Sequence, residues 1–407
     1  MKDKTICVVG LGYIGLPTAA LLANSGYQII GVDVNSTAVN IINQGKIHIV
    51  EPDLANFVKS AVCSGKLKAY TQPQAADIFM LCVPTPFYMN GGGIPEPNLE
   101  YVLAATKTIA PYIKAGDIVI LESTSPIGTT AQIYETLKRA GVDVEEIFLA
   151  YCPERVLPGK IMVELIENDR IVGGFNAAST QKVKEFYQTF VRGEVLETDS
   201  NTAEMSKLVE NSYRDVNIAF ANELSILSDV HNINVHEVIK LANRHPRVNI
   251  LQPSCGVGGH CIAVDPWFLV ASDPKEAKLI KTAREVNDYK ADWVIEKIKS
   301  TALAFEVEQN KKPKVVCMGL AFKPDIDDLR ESPALYITKS LQSQQLDILA
   351  VEPNIKQHSE LELINYKKAI AQADIVIFLV KHREFLALEV QDKIVLDFCG
   401  VLELVRQ

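Results

Sequence analysis

The chain has eight cysteines, at positions 7, 63, 82, 152, 255, 261, 317 and 399, and no Cys-x-x-Cys pair among them. That absence excludes the zinc-ribbon and thioredoxin-type patterns. Long apolar runs are missing too. No stretch reaches the roughly 18 uninterrupted apolar residues that a membrane span requires, so no membrane partner is expected. The N-terminal MKDKTICVVGLGYIG enters strand-like sequence at once. It lacks the apolar segment and small-residue cleavage site of a secretory leader, and a cytoplasmic location is the expectation. Positive charge is in short supply, with 41 Lys and Arg against 50 Asp and Glu and a net charge of −9. A nucleic-acid partner is therefore not expected, because binding a phosphate backbone needs a basic face. A local basic patch for a phosphorylated small molecule remains compatible with this balance. The sequence shows no internal repeat and no low-complexity tail.

What is present is ordinary globular composition, 48% hydrophobic and 22% charged over 407 residues, enough for two or three domains. In the first third, short apolar runs (TICVVG, QIIGVD, DIFMLCVP, GDIVILEST) alternate with helix-like segments, the pattern of a parallel sheet with crossover helices. Cys7, Cys82 and Cys317 lie inside such runs and read as small buried thiols. From about Thr202 to Lys299 long amphipathic segments predict helices. The charged, Pro-containing NKKPKVV then marks a boundary near residue 310, and LDILAVEPN, ADIVIFLV and KIVLDF predict a second, smaller α/β unit. Gly91-Gly92-Gly93 predicts a flexible loop.

Gly10-Leu-Gly12-Tyr-Ile-Gly15 matches G-x-G-x-x-G between a predicted strand and a predicted helix, the context that motif needs. Its glycines allow a tight turn and close approach of a pyrophosphate, and the helix start offers unpaired N–H groups. Asp33 ends the second strand at the expected separation. A carboxylate there accepts hydrogen bonds from ribose hydroxyls and repels a 2′-phosphate, and no Arg follows in Val34-Asn35-Ser36, so NAD is favoured over NADP. Val83-Pro84-Thr85-Pro86 and Glu122-Ser123-Thr124-Ser125-Pro126 follow apolar strands, where ligands of such sheets bind. Ordinary Pro-containing loops are the competing reading.

Lys207 and Asn211 are four apart in a helical run and share a face. They read either as a solvated polar stripe or as donors to a developing oxyanion. Arg244, His245 and Arg247 form a basic turn or a clamp for phosphate or carboxylate. The glycine-rich GVGGHCIAVDPW, Gly256 to Trp267, raises four possibilities for Cys261. Zinc needs three or four converging ligands, and Cys255, His260 and Cys261 offer three at most, two of them adjacent; no metal is expected. A second dinucleotide loop would need glycine where Cys261 stands. A buried inert thiol and a nucleophile remain.

The stretches GLGYIGLPTAA, HIVEPDL, VPTPF, ESTSPIGT, YCPERVLPG, AEMSKLVENSYRDVNIAFANE, NRHPRVNILQPSCGVGGHCIAVDPWFLV and GLAFKPDIDDLRESPA run through nearly the whole chain. Together they resemble the nucleotide-sugar 6-dehydrogenases of the UDP-glucose dehydrogenase superfamily. The resemblance implies two Rossmann-like parallel-sheet domains joined by a central helical domain with a long helix, at residues 1–200, 201–310 and 311–407. It implies oxidation of the sugar C6 alcohol to a carboxylate with two NAD+, through a cysteine thiohemiacetal and thioester. It also implies a role in bacterial surface polysaccharide synthesis and a homodimer or higher homo-oligomer. HCIAVDPWF points to the branch acting on UDP-N-acetylhexosamines. UDP-N-acetylmannosamine and UDP-N-acetylglucosamine differ only in configuration at C2, and the choice of the manno epimer rests on the resemblance.

Residue by residue, Cys261 matches the family nucleophile, and Lys207 and Asn211 the pair that holds the substrate oxygen. Asp265 and Thr124 match groups that position water and relay protons, and Glu154 a group implicated in hydrolysis near the nicotinamide. Gly10, Gly12, Tyr13, Ile14, Gly15, Asp33, Val83, Pro84, Thr85, Thr124 and Arg330 are the expected cofactor contacts. Glu154, Arg155, Val156, Lys207, Asn211, Arg247, Gly258, Phe322 and Lys323 are the expected substrate contacts. Arg247 matches an arginine that in relatives reaches across a dimer. Val264 departs from the Lys common in the UDP-glucose branch, and His260 stands where that branch varies; a role in shaping the loop is expected for it. A single-step β-hydroxyacid dehydrogenase, which needs no cysteine, and an NAD-sensing binding protein are the more remote alternatives.

Overall fold

In the computed structural model, residues 3–49, 51–89, 93–157, 159–259 and 261–402 are described. Packing divides the chain into two compact units, Met1–Glu210 and Asn211–Gln407.

In chain order the strands of the first unit are β1 (Thr5–Val9), β2 (Gln28–Val32), β3 (Leu67–Tyr70), β4 (Ile78–Leu81), the short β5 (Phe87–Met89) and β6 (Pro95–Pro97), β7 (Ile118–Leu121), β8 (Phe148–Tyr151), β9 (Arg170–Gly174) and β10 (Val195–Asp199). Eight of them form one sheet in the order β10-β9-β8-β7-β4-β1-β2-β3, while β5 and β6 pair as an antiparallel ribbon. The central strands of the sheet, β1, β4 and β7, are apolar at successive positions, which suits burial on both faces. The sheet is parallel except between β8 and β9. Side chains alternate between its faces. Ile6 and Val8 enter one core with Ile78, Met80, Ile118 and Ile120, and Cys7 and Val9 enter the other with Phe79, Leu81, Val119 and Leu121. The chain runs outward from β1 through β2 to β3 and then returns to β4 on β1's other side. That reversal leaves a crevice at the carboxyl ends of β1 and β4, where sheets of this class bind ligands.

The unit boundary falls inside the long helix Ser200–Val230. The second unit holds the rest of that helix, the 32-residue helix Lys278–Gln309 and a four-stranded parallel sheet. Its strands are β11 (Lys314–Met318), β12 (Asp347–Val351), β13 (Ile375–Phe378) and β14 (Ile394–Asp397), in the order β12-β11-β13-β14. Val315, Cys317, Ile375 and Ile377 pack against Val294 and Ile298 of the helix Lys278–Gln309, and Val316, Met318, Val376 and Phe378 form the opposite core. The fold is therefore α/β, with two Rossmann-like parallel sheets and an intervening helical segment. Cys7 and Cys317 are buried as expected, whereas Cys82 is only half-buried because it stands just past β4, in the crevice loop. Gly91 and Gly92 of the expected glycine loop, and His260, lie outside the described residues. Among the described residues no helix is long and apolar enough to cross a membrane.

Candidate active site

The first unit presents the glycine turn. Gly10 leaves β1 with φ of +93°, and its N–H donates to Val32 O at 2.8 Å. A Cβ on Gly10 would lie 2.6 Å from Cys82 O, and one on Gly15 would collide with the Gly10 carbonyl. Gly12 differs: a Cβ there would meet no protein atom within 4 Å. Two of the glycines are thus demanded by the chain's own packing, while the third faces open space. A bound pyrophosphate supplies the reason for it, so the turn fits a dinucleotide. The helix Gly15–Asn24 begins without a side-chain cap, and its start points toward the glycine turn, where helix N-termini favour phosphate, although Leu16 N–H already donates to Gly12 O at 3.1 Å and Pro17 has no N–H to offer. Tyr13 and Ile14 are half-buried in the same turn.

Asp33 follows β2 directly and is half-buried. Leu11 N–H donates to its Oδ2 at 2.9 Å and Asn35 N–H to its Oδ1 at 2.8 Å, which fixes the carboxylate beside the turn. The two expected strand-end loops are stitched together. Thr85 Oγ1 donates to Thr124 O at 2.5 Å and Ser123 Oγ to Val83 O at 2.6 Å, with Pro84 exposed between.

Glu154, just beyond β8, is buried. Arg155 N–H donates to its Oε1 at 2.7 Å, and Arg170 Nη1 meets its Oε2 at 2.8 Å. The Arg170 guanidinium lies 5.6 Å from the centre of the Tyr187 ring. Tyr187 donates to Glu122 Oε1 at 2.7 Å and the Cys82 thiol to Glu122 Oε2 at 3.3 Å. Burial pushes the Glu122 carboxyl upward against the pull of Arg170, and Glu154 pushes it further. Two buried carboxylates therefore share one guanidinium. Arg155 points its guanidinium at Asp169 O (3.1 Å) and Glu210 (2.8 Å), and Val156 packs on the first unit's core.

On the long helix Lys207 is half-buried and Asn211 buried. In the second unit Asn211 Nδ2 donates to Asp265 Oδ2 at 2.5 Å. Asp265 opens the helix Asp265–Ser272, and the Cys261 carbonyl accepts from Val264 N (3.0 Å) and Asp265 N (2.8 Å). Thiol and carboxylate thus stand one turn apart, with Cys261 exposed and Asp265 buried. The glycines before Cys261 carry a packing role that the sequence does not suggest. A Cβ on Gly256 would lie 2.9 Å from Pro333, one on Gly259 would lie 2.8 Å from the Phe322 ring, and one on Gly258 would collide with the Glu331 carbonyl. Gly259 N–H donates to Arg330 O at 3.0 Å. The cysteine loop is in this way laid against the segment that carries Phe322, Lys323 and Arg330. Arg330 itself is exposed and pairs with Asp328 at 2.6 Å. Burial, and then the facing Arg214, push the Lys323 amine below its usual range. Arg247 is exposed on the turn after helix Val235–Ala242, and its N–H donates to His245 Nδ1 at 3.3 Å.

Residues that sequence reasoning did not select fasten this loop. Ser254 N–H donates to Asn222 Oδ1 (2.8 Å), Asn222 Nδ2 to Asn287 Oδ1 (2.8 Å), and Asn287 Nδ2 to Asp215 Oδ1 (2.8 Å), which also receives Arg284 Nη1 (2.7 Å). Burial pushes Asp215 up to about 6 in spite of Arg284. Their signal was available only as polar residues on the inner face of two long helices.

A glycine turn fitted to a dinucleotide, with an acid at the next strand's end, belongs to enzymes that use a nicotinamide or flavin dinucleotide. An exposed thiol beside a buried acid in a second α/β unit narrows the class. Models of the UDP-glucose/GDP-mannose dehydrogenase family match residues 4–191 (NAD binding domain), 201–289 (central domain) and 316–404 (UDP binding domain). The chain belongs to this family. It is an NAD-dependent oxidoreductase acting on nucleotide sugars. The family resemblance extends over full length. UDP-N-acetyl-D-mannosamine dehydrogenase of Campylobacter jejuni is 54% identical over 411 residues, 97% of this chain and 98% of the relative. An NDP-N-acetyl-D-galactosaminuronic acid dehydrogenase of Ralstonia solanacearum is 51% identical over 98% of this chain and 96% of its own. Among solved structures, a UDP-D-ManNAc dehydrogenase from Pyrococcus horikoshii superposes with a TM-score of 0.88 at 36% identity, covering 98% of this chain and 96% of its own.

Proposed function

We propose that this enzyme oxidises UDP-N-acetyl-D-mannosamine at C6 to the uronate, using two NAD+ and a covalent stage on Cys261. The observation that carries the reading is the exposed Cys261 one helical turn from Asp265, whose carboxylate Asn211 holds at 2.5 Å. NAD+, when bound at the Gly10–Gly15 turn, accepts one hydride in each of two oxidations. An aldehyde has no readily released hydride until a nucleophile adds to it. The Cys261 sulfur bonds to the aldehyde carbon to give a thiohemiacetal, loss of the second hydride leaves a thioester, and water cleaves it to carboxylate and free thiol. Lys207 and Asn211 hold the oxygen as it gains charge, where removing one donor costs about 2.7–4 kcal/mol. Asp265 and Thr124 handle the proton and orient water, and Glu154, fixed by Arg170, serves the hydrolysis. By resemblance, Arg155, Val156, Arg247, Gly258, Phe322 and Lys323 are the further contacts to the UDP-sugar.

The manno sugar is supported by the name of the Campylobacter relative at 54% identity. The separate family models for the NAD, central and UDP portions support a three-part reading, 1–200, 201–310 and 311–407. Self-association through the long helix is supported by Met205, Val209, Tyr213, Phe220 and Leu227, exposed apolar side chains along that one helix. The cytoplasm and surface-polysaccharide synthesis complete the proposal by resemblance.

Purified enzyme is incubated with UDP-N-acetylmannosamine, UDP-N-acetylglucosamine, UDP-N-acetylgalactosamine and UDP-glucose side by side, and NADH is counted. Two NADH per UDP-N-acetylmannosamine, and loss of turnover in Cys261→Ala, are expected. One NADH per substrate with no sensitivity to thiol alkylation identifies a single-step dehydrogenase instead. Preference for another sugar overturns the manno assignment alone.

A further inference from the structure

The segment that carries Phe322 and Lys323 hangs from two buried polar side chains outside any motif. Glu352 follows β12 and is 4% exposed, and His382, beyond β13, is 0% exposed. Glu352 Oε2 accepts from Leu320 N (2.8 Å), Ala321 N (2.9 Å) and His382 Nε2 (3.0 Å). Its Oε1 accepts from Asn354 N (3.0 Å) and Nδ2 (3.3 Å). His382 Nδ1 in turn accepts from Asp325 N at 3.0 Å and Asn354 Nδ2 at 3.0 Å. Two donors at Nδ1 fix the tautomer, so the ring proton sits on Nε2 and is given to Glu352.

The start of the segment is therefore held by Glu352 and its end by His382, and the imidazole joins the two. Asp325 has φ of +61°, a conformation rare for a residue with a side chain, and its carboxylate accepts Arg383 N–H at 2.9 Å. Taking a carboxylate and an imidazole out of water is costly unless every polar atom finds a partner, and here each does. Both are buried too deeply to reach a ligand. Besides binding each other and Asn354, they accept backbone N–H groups of the segment, Leu320 and Ala321 at one end and Asp325 at the other.

We propose that His382 and Glu352 are positioning residues of the UDP-sugar site: they fix the 320–325 segment so that Phe322 and Lys323 meet the nucleotide sugar in one arrangement. The inference rests on the reading of Phe322 and Lys323 as substrate contacts. An apolar side chain at 382 leaves Asp325 N–H and one Glu352 lone pair unmatched and frees the segment's far end. Glutamine at 382 keeps one donor and one acceptor on a side chain of similar reach.

The test measures binding of UDP, and separately of NAD+, to the full-length enzyme by calorimetry for wild type, Lys323→Ala, His382→Leu and His382→Gln, with KM and kcat for the nucleotide sugar alongside. His382→Leu is expected to weaken UDP binding and raise the sugar KM about tenfold, the scale of one lost buried hydrogen-bond partner. NAD+ binding stays within about twofold, a factor too small to correspond to one lost hydrogen bond, and His382→Gln recovers most of the loss. If Lys323→Ala leaves UDP binding intact, the substrate reading of the segment fails. If Lys323→Ala weakens UDP binding while both His382 variants bind it as wild type does, the positioning role is overturned. Equal loss of UDP and NAD+ binding in His382→Leu, without recovery in His382→Gln, also overturns it, since that marks general unfolding.

Discussion

Two glycine turns in this molecule begin alike and end differently. Gly10 leaves β1 at φ +93° and Gly319 leaves β11 at φ +95°. Each donates its N–H at 2.8 Å to the last residue of the neighbouring strand, Val32 in one case and Val351 in the other. An acid comes next in both, Asp33 and Glu352. Asp33 accepts one N–H on each oxygen and stays half-exposed, open to a ribose. Glu352 accepts five donors, His382 among them, and is buried. The same strand, turn and acid thus leave a half-exposed acid in one unit and a buried, saturated one in the other. What decides between them is whether another side chain reaches the acid first. The lack of a sequence repeat, correct at the level of residues, does not extend to the fold.

Breaking the first turn at its packing glycines should give the largest effect. Gly15→Ala drives a methyl group into the Gly10 carbonyl, and loss of folded protein or a destabilisation of several kcal/mol is expected, measured by thermal unfolding. Gly12→Ala is the informative contrast, because its methyl meets no protein atom. Its melting temperature should match wild type, UDP binding should persist, and NAD+ affinity should fall by about tenfold or more, since only the ligand occupies that space. Normal NAD+ binding in Gly12→Ala would show that the pyrophosphate does not lie there.

The acids come next. Asp33→Ala should weaken NAD+ about ten- to a hundredfold, as expected for loss of charged hydrogen bonds of about 1.5–3 kcal/mol, and narrow the gap to NADP+ because no carboxylate remains to repel the 2′-phosphate. Its stability should change little. Glu352→Ala should do the reverse, lowering stability while NAD+ affinity holds. If the two variants show the same pattern, the division between ligand acid and scaffold acid is wrong.

How far these features were legible varies by residue. The first turn and Asp33 were readable because glycine spacing and a nearby acid are local in sequence. Cys261 and Asp265 were readable as a spacing, and the resemblance gave them a role. Glu352 carried the same signal as Asp33, an acid ending the strand after a glycine turn, and reading LDILAVEPN as a counterpart of QIIGVD would have found it. His382 and Arg170 left no such trace. Each sits in a short polar run, residues 381–384 and 167–170, that reads as ordinary surface sequence, and each partner is distant in the chain, 30 residues away for Glu352 and 16 for Glu154. The packing role of Gly256, Gly258 and Gly259 was illegible for a related reason. Glycines beside a reactive thiol suggest room for substrate, but here Pro333, Phe322 and Glu331 fill the space where side chains would go.

The smallest expected effect concerns pH and isolates the scaffold acid. Burial alone would raise the Glu352 carboxyl, but the hydrogen bond from His382, with the N–H groups of Asn354 and Leu320, holds it below the usual range. A carboxyl whose folded-state value is depressed contributes stability that is fully present above its unfolded value, about 4.3 for Glu. That contribution is lost as pH falls through the lower folded value, because the folded state must then take up a proton it resists. Glu352→Gln keeps the shape, removes the charge and turns one acceptor into a donor facing N–H groups. Urea unfolding should therefore show the variant less stable than wild type by about 1–3 kcal/mol at pH 7, with the gap constant down to about pH 4.3 and narrowing below it. A gap that widens on acidification would mean that Glu352 is protonated in the folded enzyme, and its role as the anionic anchor of the 320–325 segment would have to be given up.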